Sequence, residues 1–105
     1  MPFVKLANVS QLPEGSALHV EIGDGAVAIC NVEGKLHAID GICPHSNGPL
    51  GDGGLHGRIL VCPFHAWEFD CVTGLCTADD TLRQARFAVK VEGGDVLVDV
   101  PWISN

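Results

Sequence analysis

Two short segments hold the residues best equipped for chemistry: Cys43-Pro44-His45-Ser46-Asn47-Gly48-Pro49-Leu50 and Cys62-Pro63-Phe64-His65-Ala66-Trp67. Each offers one thiol and one imidazole, beside prolines and glycines that favour turns. The first pair is spaced Cys-x-His and the second Cys-x-x-His, with sixteen residues between His45 and Cys62. Thiolate and neutral imidazole both ligate metals, so two such hooks on two loops can close on one centre from opposite sides. Two chemistries compete for them. Zinc accepts two thiolates and two imidazoles tetrahedrally, but structural zinc sites usually use spacings of about Cys-x2–4-Cys and His-x3–5-His. A [2Fe–2S] cluster can carry two thiolates on one iron and two imidazoles on the other. One cysteine and one histidine per loop would let each loop reach both irons.

Holding two loops around one centre requires a stiff base, and the flanking sequence is patterned for strands. Leu18, Val20 and Ile22 alternate with Ala17, His19 and Glu21, the period of a strand with two different faces. Asp24-Gly25 is expected to turn the chain into Ala26–Val32, an apolar run suited to a buried strand. Glu33-Gly34 then predicts a hairpin returning through Lys35–Ile39. Near the C-terminus, Phe87, Val89 and Val91 alternate with Arg86, Ala88, Lys90 and Glu92. Gly93-Gly94 turns the chain into Val96, Val98 and Val100, which closes a sheet.

Between these patterned ends, from Asp40 to about Thr77, glycine and proline crowd the chain. Such composition suits loops wrapped around a cofactor, since glycine permits close approach of the backbone to a ligand. Short strands are expected at Arg58–Val61 and Trp67–Phe69, and one helical turn at Thr77–Leu82. Helical periodicity is otherwise absent, so the fold class is all-β with antiparallel strands. No repeat or linker divides the chain, and 105 residues support one domain without room for a separate catalytic one.

Composition narrows the function classes. Apolar residues make up 47% and charged residues 18%, which indicates an ordered globular protein. A formal net charge of −7 argues against nucleic acid as a partner, because phosphate binding needs a basic face. It suits docking on more basic surfaces. Met1-Pro2-Phe3-Val4-Lys5 lacks the pattern of a signal peptide, and no stretch reaches membrane-spanning length. With no signal, five cysteines are expected in a reduced, cytoplasmic chain rather than a disulfide framework. Neither a Ser-His-Asp pattern nor a phosphate-binding glycine motif is present, so no catalytic residues are assigned.

The sequence resembles the Rieske iron–sulfur family, specifically the small soluble ferredoxins that serve bacterial ring-hydroxylating oxygenases of aromatic hydrocarbon catabolism. The resemblance rests on Cys43-x-His45, the following Leu50-Gly51, Cys62-Pro63-x-His65, and Phe69-Asp70-x-x-Thr73-Gly74. It implies a Rieske fold: an antiparallel β-sandwich or barrel base from residues 1–40 and 77–105, with an inserted cluster-binding subdomain at about 41–76. It also implies one [2Fe–2S] cluster held by Cys43, His45, Cys62 and His65, the thiolates on the inner iron and the imidazoles on the outer. The implied role is a one-electron carrier that accepts from a flavin-containing reductase and delivers to a terminal oxygenase, as a cytoplasmic monomer touching neither membrane nor nucleic acid. A Rieske small subunit fixed in a larger enzyme, such as a nitrite reductase, is the alternative within the family. A zinc-binding interaction module is the alternative outside it.

The resemblance also bears on the potential. With neutral imidazoles, two ferric ions, two sulfides and two thiolates sum to about zero charge, so reduction is easier than for a four-thiolate cluster near −2. High-potential Rieske proteins of respiratory complexes bridge their two cluster loops by a disulfide, but the matching positions here are Gly48 and Phe64. Those proteins also place a serine and a tyrosine where this chain has Trp67 and Phe69, so two hydroxyl donors are missing. A midpoint at the low end, about −150 mV, is expected. Trp67 is expected to pack beneath the loops. Cys30 reads as a core residue, and a Cys71–Cys76 disulfide across Thr73-Gly74 is tempting but unsupported. His19, His37 and His56 read as strand or loop surface residues.

Overall fold

The computed structural model describes residues 3–44, 47–64, 66–79 and 81–103. They form ten strands: β1 (Phe3–Asn8), β2 (Ala17–Ile22), β3 (Gly25–Val32), β4 (Lys35–Asp40), β5 (Leu55–His56), β6 (Ile59–Val61), β7 (Glu68–Asp70), β8 (Arg86–Phe87), β9 (Val89–Glu92) and β10 (Asp95–Asp99). Three antiparallel sheets result, with strand orders β1-β10-β9, β2-β3-β4-β8 and β5-β6-β7. Helical structure among the described residues is limited to two 3₁₀ turns, Val9–Gln11 and Leu50–Asp52. The fold is all-β, as the alternation predicts.

The middle sheet organises the molecule because both of its faces are covered. Residues 26–30 of β3 are wholly buried, which explains their unbroken apolar run. Val27 and Ile29 point into a core shared with Ala38, Val96, Val98 and Val100, which packs this sheet against β1-β10-β9. Ala28 and Cys30 point the other way, into a core with Ile39, Cys43, Leu50, Leu60, Cys62 and Phe69. That second core joins the middle sheet to the loops bearing the two hooks. The side chains on β2 divide accordingly: Leu18, Val20 and Ile22 pack on the first core, Ala17 on the second.

Several local expectations are borne out. Val32 pairs with Lys35 across the two-residue loop Glu33-Gly34, and Glu92 with Asp95 across Gly93-Gly94. Gly93 and Gly94 both have positive φ, 57° and 88°, the conformation that a twisted two-residue hairpin needs and glycine adopts without strain. The two predicted central strands form as β6 and β7, with Leu60 opposite Phe69 and both fully buried.

Others need correction. The β2–β3 loop is Gly23-Asp24, because Gly25 already pairs with Ile22. The run from Arg86 to Glu92 is two strands: β8 adds to β4, while β9 pairs with β10, so the chain passes from one sheet to another at Ala88. Val91 is consequently half exposed. The helical turn expected at Thr77–Leu82 is absent among the described residues, Asp80 lying outside them. There the Asp79 carboxylate accepts from the Thr81 N–H at 2.9 Å and its hydroxyl at 2.6 Å, a local alternative to helix.

Candidate metal centre

Cys43 and Cys62 are both fully buried, and both belong to the core between the middle sheet and the loops. The two loops close in the same way although their sequences differ. The Cys43 carbonyl accepts from the N–H four residues on, Asn47, at 2.7 Å, and the Cys43 N–H donates to the carbonyl five residues on, Gly48, at 2.9 Å. The Cys62 carbonyl likewise accepts from Ala66 at 3.2 Å, and the Cys62 N–H donates to Trp67 at 2.7 Å. In each loop the fourth residue after the cysteine has φ of 59°. Asparagine tolerates that left-handed conformation, whereas alanine does so at a cost of about 1–2 kcal/mol. Such strain is typical of functional loops. His45 and His65, which lie between these anchor points in sequence, fall outside the described residues.

The loops also meet each other. A Cβ built on Gly48 of the first loop would lie 2.7 Å from the Cys62 sulfur and 3.1 Å from the Phe64 ring of the second. Glycine at this position therefore lets the first loop seat against the second thiol. Phe64 itself is half exposed, and Pro44, Asn47, Pro63 and Ala66 of the two loops are exposed and uncharged. Trp67 is partly buried and packs against the core containing both cysteines, as expected from the sequence.

Three sets of contacts fasten the first loop to the base. The Gly41 N–H donates to Ala26 of β3 at 2.9 Å, and the Leu50 N–H returns to the Gly41 carbonyl at 2.9 Å. Gly51 lies so close to the β2 backbone at His19 that a side chain would collide with it. Gln84 is buried, and its amide donates to the Asp40 carbonyl at 3.0 Å and the Ile42 carbonyl at 2.6 Å, directly before Cys43. Nothing in the sequence marks Gln84, since a lone glutamine near the start of a strand carries no signal.

The Phe69-Asp70-x-x-Thr73-Gly74 segment is a structural turn. The Asp70 carboxylate accepts from the N–H groups of Val72 at 2.8 Å and Thr73 at 3.2 Å, and pairs with the Arg58 Nε at 2.8 Å. Burial alone would raise the Asp70 pKa, but the Arg58 and backbone hydrogen bonds outweigh it and hold the carboxyl below its ordinary value. Gly74 ends the turn with φ of 82°, its N–H on the Asp70 carbonyl and its carbonyl accepting from Gln84 at 2.7 Å. The turn thus joins the third sheet to the residue that secures the first loop.

Two expectations about side residues fail. His19 is not on the surface: its side chain is 7% exposed, and among the described residues its buried Nδ1 has no hydrogen-bond partner. Alternation placed it opposite Leu18 and Val20, and the loop carrying Gly51 covers that face. The chain is not fully reduced either. Cys30 is in the core as expected, but it forms a disulfide with Cys71, 41 residues away, at a Cα separation of 6.7 Å. The partner of Cys71 is therefore a strand of the base, and Cys76 is a buried thiol outside that bond. His56 is exposed as expected, and His37 is partly buried.

Two buried thiols brought into one core by matching turns, beside exposed neighbours that carry no charge among the described residues, define an all-β protein suited to holding a thiolate-ligated metal group. The donor chemistry fits a cluster, since Cys43 and Cys62 are buried where thiolates would serve as inner ligands. The chain belongs to the Rieske family: residues 2–97 match the Rieske [2Fe-2S] domain. It is 38% identical over 92 residues to the ferredoxin component of the naphthalene 1,2-dioxygenase system of Pseudomonas aeruginosa, covering 86% of this chain and 88% of that one. It is 39% identical over 97 residues to the 3-phenylpropionate/cinnamic acid dioxygenase ferredoxin subunit of Escherichia coli K12, covering 89% of each. A solved complex of reduced oxygenase and oxidized ferredoxin in carbazole 1,9a-dioxygenase contains a chain of the same fold. The likeness has a TM-score of 0.82 at 28% identity, over 91% of each chain. No helix among the described residues is long and apolar enough to cross a membrane.

Proposed function

We propose that this protein is a one-electron carrier that binds one [2Fe–2S] cluster through Cys43, His45, Cys62 and His65. In this reading it receives electrons from a flavin-containing reductase and passes them to the terminal oxygenase of a ring-hydroxylating system, as a cytoplasmic monomer. It transforms no substrate itself. Residues 41–76 act as the cluster-binding subdomain, on a base made from 1–40 and 77–105 within a single domain. The observation that carries the proposal is the burial of Cys43 and Cys62 in one core, at the same point of two identically closed loops. The relatives support the carrier role, because they are named as ferredoxin components of dioxygenase systems. The complexed carbazole system supports a terminal oxygenase as acceptor.

When bound, the cluster supplies reversible one-electron chemistry at a potential set by its ligands and surroundings. The residues of this chain provide the rest. Cys43 and Cys62 hold the group from the buried side, and the backbone closures fix both loops before any partner arrives. Pro44, Pro63 and Phe64 form an exposed rim that a partner can cover without desolvating a charge. Electron-transfer encounters use small interfaces, and the acidic remainder of the molecule steers approach to a basic partner from a distance.

The test is to purify the protein anaerobically and determine metal and acid-labile sulfide per chain, then reconstitute with a reductase and an oxygenase of the naphthalene type. Two irons and two sulfides per chain, with oxygenase turnover that requires this protein, are expected. A colourless zinc protein would remove the cluster, and stable co-purification with one large enzyme subunit would replace the shuttle with a fixed subunit.

A further inference from the structure

The third sheet leads into the second cysteine loop, yet few directional contacts fix that sheet on the base. Cys62 begins the loop of the β6–β7 hairpin, whose root is closed by the Cys71 N–H on the Arg58 carbonyl at 2.8 Å. Among the described residues, no backbone hydrogen bond crosses from residues 55–71 to strands β1–β4. Leu60 and Phe69 share a core with Ala28, Cys30 and Ile39, but apolar burial is non-directional and fixes no single point of contact. The Cys30–Cys71 bond does fix one, joining the root of the hairpin to β3.

Packing around that bond is incomplete. One open cleft of about 180 Å³ is lined by residues that include His37, Ala38, Cys71, Val72 and Arg86, and His37 is the ladder partner of Cys30. Another, of about 260 Å³, lies between the β3–β4 and β5–β6 turns and is lined by Val32, Glu33, Gly57 and Arg58. The seam between the third sheet and the β3–β4 hairpin is thus open in two places near the bond. The sulfurs are nonetheless closed off, since Cys30 and Cys71 have no exposed surface. Thiol–disulfide exchange requires a thiolate to reach a sulfur. The native fold therefore shields this bond from the small thiols of a reducing compartment, where disulfides are otherwise rare.

We propose that Cys30–Cys71 is a permanent clamp, sealed by the native fold, that positions the Cys62 loop from the root of its hairpin. Both cysteines act as positioning residues for Cys62. The thiol lies beyond the three residues of β6, about 10 Å of strand from the clamped root, so a shift at the root is carried to it. The first loop has other anchors, because Gly41, Gly51 and Gln84 already secure it. The consequence for a cluster rests on the ligand set proposed above, whereas the clamp itself does not.

The experiment on the holoprotein has two arms. In the first, the folded protein is held in glutathione, freed of it, denatured without reductant and alkylated, and Cys30 and Cys71 are quantified by peptide mass spectrometry. A parallel sample meets glutathione in urea. The pair should resist alkylation after exposure while folded and become alkylated after exposure in urea; alkylation of the folded sample, with or without glutathione, overturns the clamp. The second arm follows hydrogen exchange in β6 and β7, and bleaching by a chelator, in Cys30→Ala, Cys71→Ala and the double variant. Each variant should exchange faster there than the parent and bleach about tenfold faster, the low end for losing a group that orients a metal ligand. Either substitution breaks the same bond, so each single variant should match the double, a coupling that two independent core residues do not show. Additive effects of the single variants, or unchanged exchange in β6 and β7, overturn the positioning role. The first arm uses the unaltered chain and decides the matter even where a variant does not fold. Alkylation and hydrogen exchange do not depend on iron, so a zinc protein would remove the proposed cluster and leave the clamp to be judged separately.

Discussion

Replacing Gly48 by alanine tests whether the two loops are seated against each other. The added Cβ would lie 2.7 Å from the Cys62 sulfur, about 1 Å inside a comfortable contact of about 3.5–4.0 Å. The half-exposed Phe64 ring, 3.1 Å away, can swing outward. The Cys62 side cannot yield so readily, because the thiol is buried and its loop is closed by two backbone hydrogen bonds. Gly48 is itself tied to the Cys43 N–H at 2.9 Å, so the first loop resists withdrawal too. Overpacking of this kind costs about 1–3 kcal/mol. Gly48 does not have positive φ, so an alanine free of collision would instead stabilise by about 0.4–1 kcal/mol through the unfolded chain. The sign of the effect therefore decides the matter. Gly54→Ala is the control, with φ of 91° and nothing within 4 Å of a Cβ; it carries only the backbone cost of about 1–2 kcal/mol. The assay combines thermal unfolding, iron per chain and the rate at which a chelator bleaches the visible absorption. Gly48→Ala should lower iron content and speed bleaching about 30-fold if some 2 kcal/mol is lost at the cluster loops, at tenfold per 1.4 kcal/mol. A Gly48→Ala protein with full iron, equal bleaching and a raised melting temperature would refute the reasoning.

Other perturbations follow from the same contacts. Cys43→Ser or Cys62→Ser should abolish cluster assembly and expose residues 41–76 to limited proteolysis, since ligand binding and ordering of such loops are coupled; unchanged protease resistance would count against it. Gln84→Ala leaves the Asp40 and Ile42 carbonyls without their side-chain donor, and should cost about 1–3 kcal/mol in urea unfolding, with Gln84→Glu worse because a carboxylate cannot donate. Asp70 has a folded pKa below its ordinary 3.8, so its stabilisation is complete above that value and is lost as pH falls through the lower, folded one. Asp70→Asn should therefore flatten the wild-type decline in urea midpoint below about pH 4, and parallel curves would exclude Asp70 as the cause. Protein-film voltammetry should give a midpoint near the low end of the Rieske range, about −150 mV, and a value above zero would show that donors other than the missing hydroxyls set the potential.

The sequence was most legible where chemistry and local geometry coincide. The Cys-x-His and Cys-x-x-His spacings are local, and so are the hairpins at Glu33-Gly34 and Gly93-Gly94, whose turn residues dictate the pairing on either side. The buried run at Ala26–Val32 was visible because a strand covered on both faces cannot alternate. What escaped depends on distant parts of the chain. The strand Phe3–Asn8 pairs with Asp95–Asp99, and an irregularity between Lys5 and Ala7 breaks the period that would have revealed it. Cys30 and Cys71 meet only because the third sheet packs on β3. The burial of His19 is likewise imposed by the Gly51 loop, and nothing in the residues around His19 encodes that cover.

The division of labour in the molecule follows from where its charge is kept. The proposed shuttle meets a donor and an acceptor in turn, which favours a docking surface that discriminates weakly at contact. Among the described residues of the two loops, Pro44, Asn47, Pro63, Phe64 and Ala66 are exposed and neutral, so a partner covering them desolvates no charged side chain of theirs. Rigidity is supplied from the other side. The Cys43 loop is tied to β3 through Gly41, to β2 through Gly51 and to the strand-bearing C-terminal third through Gln84. The anchorage to the core and the exposed neutral residues thus meet at the two cysteines, each buried and followed directly by an exposed proline.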